Sequence, residues 1–140
     1  MQGTWQTPVV PASRWIATFF KTGRSLADAK GFFSQLGGGA TTSAQITLQI
    51  GQHGWSEYEQ GNGNAVLGWE GAYTVIGTTV HAHDFGDPAC TVDYTVTRTG
   101  ATLRLQVIGE GPAGNAQCTQ REPQETLFET APFQKVSPEP

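Results

Sequence analysis

A chain of 140 residues can bury the core of one ordinary domain without metals or several disulfides, so a single domain spanning 1–140 is expected. Eight basic residues and a formal net charge of −4 exclude a phosphate-neutralising face, and with it a nucleic-acid partner. Charged residues are only 14% of the chain against 18 glycines, which favours strands and turns over a helical bundle, and no stretch approaches the roughly 20 apolar residues of a membrane-spanning helix.

In chain order, "GTWQTPVV" reads as a first strand that stops at Pro11. Ser13 is then placed to cap "RWIATFFKT", whose Trp15, Ile16, Phe19 and Phe20 make one sticky face before Gly23. Ser25 and Asp28 form a capping-box variant ahead of "LADAKGFFSQL", where Leu26, Ala29, Phe33 and Leu36 share a stripe that ends at Gly37–Gly39. The two segments predict a helical hairpin over about residues 13–37.

From Thr41 the apolar period drops from 3.6 to 2, with Ile46, Leu48 and Ile50 on one face. Six more strands are expected in "GWSEYEQ", "AVLGWEGAYTVIG", "TTVHAHDF", "CTVDYTVTRTG", "ATLRLQVIG" and "ETLFETAPFQKV", separated by turns such as "GNGN" and "GDPA". Eight sequential strands, each with one dry face, close most simply into an antiparallel up-and-down barrel, which leaves no exposed edge. A two-sheet sandwich is the structural competitor. The helical hairpin between strands one and two suits a barrel lid better.

Gly3-x-Trp5 on the first strand, a helical pair after it and a β meander together resemble the calycin group of lipocalins and fatty-acid-binding proteins. That resemblance implies that Trp5 packs at the closed end of the barrel against a basic side chain of the last strand, and Lys135 in "PFQKV" is the matching position. It implies equally that the helical pair covers the portal through which a ligand enters. More narrowly, "GTWQTPVV", "GWEGAYTV" and "FETAPFQKV" are similar to small lipocalin-like domains of secreted or lipid-anchored actinobacterial proteins. This implies an extracytoplasmic location, with the export signal outside this chain, and supplies no catalytic residues. The arginine–tyrosine carboxylate clamp of the fatty-acid-binding proteins is missing from "ETLFETAPFQKV", so a fatty acid is not implied.

The aromatic residues are the main functional clue. Trp15, Phe19, Phe20, Phe32 and Phe33 exceed what two short helices need for mutual contact, while Trp55, Trp69, Tyr73 and Tyr94 are large rings suited to lining a pocket. The expected function is therefore the binding of a small hydrophobic or aromatic ligand inside the barrel, by Trp15, Phe19, Phe20, Phe33, Trp55, Trp69, Tyr73 and Tyr94. The competing possibility is a barrel plugged by these rings. A second expectation is a cofactor-free cyclase or isomerase with a desolvated carboxylate in the same cavity, drawn from Glu57, Glu59, Glu70 and Glu129, and with Tyr73 or Tyr94 as partner.

Other features carry less. His81 and His83 share one strand face at a spacing that fits two metal ligands, but no third ligand is evident, so no metal and no cofactor are expected. "GEGPAG" at 109–114 matches a phosphate-loop pattern but has Pro112 where a helix would start, and reads as a loop. Cys90 and Cys118 are expected to bond, tying the start of one strand to the loop before the last. Residues 1–36 carry four basic side chains against Asp28 alone, so a basic lid would be suited to peripheral contact with an anionic membrane.

Overall fold

The computed structural model describes residues 1–86, 89–111 and 121–137. Its strands are β1 (Gly3–Gln6), β2 (Val10–Pro11), β3 (Ser43–Ile50), β4 (Gly54–Gln60), β5 (Val66–Ile76), β6 (Thr79–Asp84), β7 (Thr91–Thr99), β8 (Thr102–Gly111) and β9 (Phe133–Ser137). Each strand from β3 to β9 pairs with the next in antiparallel register, and β1 lies between β9 and β3. Eight strands thus close into a barrel, with the two-residue β2 attached to β3. The sandwich alternative is excluded.

Alternation sets the wall. Ile46, Leu48 and Ile50 on β3, Val80 and Ala82 on β6, and Leu103, Leu105 and Val107 on β8 point inward and are buried. The first strand-like run is interrupted, because Thr7 turns inward: its backbone N–H donates to Ile46 O and its Oγ1 accepts from Ile46 N, both at 3.0 Å. β1 and β2 are therefore two short pieces.

Helices α1 (Ala12–Lys21) and α2 (Leu26–Gln35) lie between β2 and β3 in the chain. Pro11, not Ser13, holds the N-cap of α1 and makes no side-chain cap; its fixed φ of −67° leads the chain directly into the helix. Ser25 does cap α2, its Oγ accepting from Asp28 N at 3.0 Å. At the exit of α2, Gly37 has φ +60°, and a Cβ there would lie 2.4 Å from Gly61 N. That close approach seats the helix end on the turn between β4 and β5, where Asn62 N donates to Gly39 O.

A third helix corrects the sequence reading. "ETLFETAPFQKV" was expected as one strand, yet α3 (Arg121–Glu129) occupies its first part and only β9 is extended. Gln124, Leu127, Phe128 and Ala131 are all buried, and their spacing of three, four and seven is that of a helix face. α3 packs on β8 and on α1. Arg14 joins α1 to the end of α3 by donating to Thr130 O at 2.7 Å.

Trp5 is fully buried, donates from Nε1 to Met1 O, and has the Lys135 ammonium 5.5 Å from its ring centroid. The expected Trp5–Lys135 contact is borne out. Sequence reading missed the Arg98 guanidinium, which lies 5.4 Å from the same ring. Lys135→Ala should lower unfolding free energy by about 0.5–1 kcal/mol, measured by urea denaturation, with Arg98 remaining to hold the indole.

Candidate functional site

The interior is built around Trp55. Its ring centroid is 5.8 Å from that of Trp69, 5.7 Å from Tyr73, 5.4 Å from Tyr94 and 6.0 Å from Phe128. All four expected barrel residues, Trp55, Trp69, Tyr73 and Tyr94, are buried and come together. They meet one another, so the middle of the barrel is filled by rings. Phe128 is the member the sequence did not suggest, because its segment read as a strand.

The expected helical residues divide. Trp15 and Phe33 are buried and belong to the same continuous core, and Trp15 donates from Nε1 to Val10 O. Phe19 is buried and stacks on Phe32, with ring centroids 4.6 Å apart. Phe20 is 52% exposed and faces away from the core.

Among these rings lies a carboxyl group. Trp55, Glu57 and Glu59 share the inward face of β4. Glu57 is fully buried, sits opposite Trp69 in the β4–β5 register, and neither of its side-chain oxygens has a hydrogen-bond partner. The indole N–H groups of Trp55 and Trp69 are likewise buried without a partner. Buried polar atoms in this condition are costly and uncommon in folded proteins.

Glycine makes room for the pair of acids. The register slips between Glu57 and Tyr58, leaving Gly68 as the extra residue of β5. A Cβ on Gly68 would lie 2.5 Å from Glu57 Oε2 and 2.7 Å from Glu59 Oε1, so both carboxyl groups converge on one spot. Desolvation first, and the nearby Glu59 second, push the Glu57 carboxyl well above its ordinary range. Desolvation also raises Glu59, offset in part by the backbone N–H of Gly37, which donates to Glu59 Oε2 at 3.0 Å. Tyr94 is raised by burial and then by Glu57 and Asp93, and its hydroxyl donates to Gln124 Oε1 of α3 at 2.5 Å. Burial also raises Tyr73, whose hydroxyl donates to Gly51 O.

One cleft borders this interior at Glu59 and another at Tyr73. One, of about 190 Å³, lies beside the exit of α2 and is lined by Phe32, Gln35, Leu36 and Glu59. The other, of about 310 Å³, is lined at the Trp5 end by Met1, Tyr73, Val75, Val80 and Val96 among others. The first alone is lined by one of the two converging carboxyl groups.

The remaining candidates fall elsewhere. Glu70 is exposed, and Glu129, expected on a strand, ends α3 and accepts from Val107 N at 2.7 Å. His81 and His83 alternate with the buried Val80 and Ala82, so they stand on the outer face, where His81 Nδ1 lies 2.7 Å from Asp93 Oδ1. Among the described residues no group of three potential ligands could hold a metal. Cys90 is buried just before β7, whereas Cys118 and residues 112–114 of "GEGPAG" lie outside the described residues.

The architecture defines the class: a closed eight-stranded antiparallel barrel, compatible with a calycin-like fold. Comparison with family models, with curated proteins and with solved structures finds no match to this chain.

Proposed function

We propose that this protein binds a small molecule with a hydrophobic or aromatic body at the helical end of its barrel, the polar part of that molecule meeting the buried carboxyl group. The observation that carries this reading is the unpartnered Glu57 carboxyl among Trp55, Trp69 and Tyr94, beside two unpartnered indole N–H groups. An interior meant only to be filled is better served by apolar side chains, since an unsatisfied polar group costs stability that packing must offset. The helical pair acts as the lid in this reading, with Phe32 and Leu36 over the entrance. Native mass spectrometry of protein purified gently from its host tests it: a retained small molecule, displaced when Glu59 is replaced by tryptophan, is the expected result. Protein that stays free of ligand, together with a panel of apolar probes that shifts no interior resonance, counts against it.

A cofactor-free isomerase or cyclase is the second reading, and Glu57 favours it. A carboxyl group that burial holds well above the ordinary glutamate range can donate its proton to a bound substrate and take one back, with the Tyr94 hydroxyl beside it. With the binding reading we also propose a location outside the cytoplasm and a bond between Cys90 and Cys118. The β7–β8 register supports that bond by setting Gly111 beside Thr91, so the chain leaves β8 next to Cys90. Intact mass with and without reductant and alkylation distinguishes the bonded from the reduced form. Contact of the basic helical lid with anionic membranes is a further part of the binding reading, and sedimentation with phosphatidylserine vesicles tests it.

A further inference from the structure

The polar interior is one-sided. Two carboxyl groups converge at Gly68, and no lysine or arginine whose side chain is described is buried with them: Arg14, Lys21, Arg24, Lys30, Arg98 and Arg104 are exposed and Lys135 lies at the far end over Trp5. Glu57 is fully buried with both oxygens unpartnered, Trp69 stands directly across from it, and Trp55 lies two residues before it on the same face. The cleft at Phe32, Gln35 and Leu36 ends on Glu59, the outer member of the pair. An anionic ligand would meet two acids, and an uncharged one would bring no charge to offset theirs. We propose that the ligand is a primary amine with an aromatic or aliphatic body, whose ammonium group enters past Glu59 and comes to rest between Glu59 and Glu57, against the indole rings.

This inference rests on the binding reading above and names its ligand class. The ammonium supplies donors to oxygens that have none, and the ring faces of Trp55 and Trp69 add cation–π attraction. Its charge takes the place of the proton that the two acids otherwise need in order to lie together, so binding should release a proton. The titratable groups that act on or lie beside Glu57 are Glu59 on its own strand and Tyr94 on β7, while the described side chains of α3 that titrate are Glu125 and Glu129 and α2 offers no titratable group to the cleft. None of them is a cation.

Isothermal titration of the whole chain with 2-phenylethylamine, 2-phenylethanol and 3-phenylpropionate, with hexylamine as an aliphatic control, tests the proposal. The amines should bind at least about tenfold tighter than the alcohol, with no binding of the acid. Amine affinity should rise with pH from 6 to 8, by at most about tenfold per unit, with proton release visible as a dependence of the heat on buffer ionisation. Glu57→Gln should bring the amines down to the affinity of the alcohol. If that variant fails to fold, Glu59→Gln, at a partly exposed site, should show the same loss in smaller measure. Alcohol and amine binding equally well would overturn the amine and leave an uncharged-ligand barrel standing. No binding by any of the four probes would overturn both.

Discussion

Raising the pH from 5 to 8 should destabilise the protein, and Glu57→Gln should remove most of that loss. Glu57 holds its proton well above the ordinary glutamate value of 4.5 because it is buried beside Glu59. In the unfolded chain it titrates normally. Its contribution to stability is therefore complete below the unfolded value and is lost as the pH climbs towards the folded one, at a limiting slope of about 1.4 kcal/mol per pH unit. Glu59 adds to the slope with the same sign, less strongly, since it is partly exposed. Glutamine keeps the shape of the protonated acid without its titration, so the melting temperature of Glu57→Gln should fall much less over this range, the remainder coming from Glu59, and exceed that of the parent at pH 8. Parallel curves for the two proteins would mean that Glu57 is ionised in the folded state, and would remove the basis of both functional readings.

The second large effect is expected at Trp55. Its indole touches the rings of Trp69, Tyr73, Tyr94 and Phe128, which come from β5, β7 and α3. Trp55→Ala should cost about 3–5 kcal/mol, read by chemical denaturation, because it removes a large buried side chain and leaves a hole that a closed wall cannot collapse to fill. Trp55→Phe separates packing from polarity. It retains most of the ring contacts and deletes the unpartnered N–H, so it should cost far less than alanine; equal losses would show that the N–H itself has a partner in solution.

The barrel was legible because period-2 alternation and turn residues are local, and closure is their simplest joint consequence. The Trp5–Lys135 contact was legible only through resemblance, since the two residues are nearly a whole chain apart. The third helix was not legible: "ETLF" alternates well enough for a strand, and its helical character appears in the spacing of Gln124, Leu127, Phe128 and Ala131, which span the boundary of the run that was read. Of the rings expected to line a ligand pocket all but Phe20 are buried, its neighbour Phe19 taking the inward position on α1. Which of several glutamates lies inside could not be read from β4 alone, because both faces of "GWSEYEQ" carry an aromatic residue. The slip at Gly68 settled the convergence of the two acids, and a single extra residue in a strand has no periodic signature.

The ring is joined by its first and last strands, β1 meeting β9 through Trp5 opposite Lys135 and Gln6 opposite Gln134, while β9 reaches β8 at two positions only. A growing polypeptide can form the meander from β3 to β8 as it emerges, but the wall stays open, with Trp55 and its neighbours facing water, until residue 137 has left the ribosome. Folding should accordingly be slow for the size of the protein, in the millisecond-to-second range of folds dominated by distant pairings. Incomplete chains would be the species most in need of a chaperone.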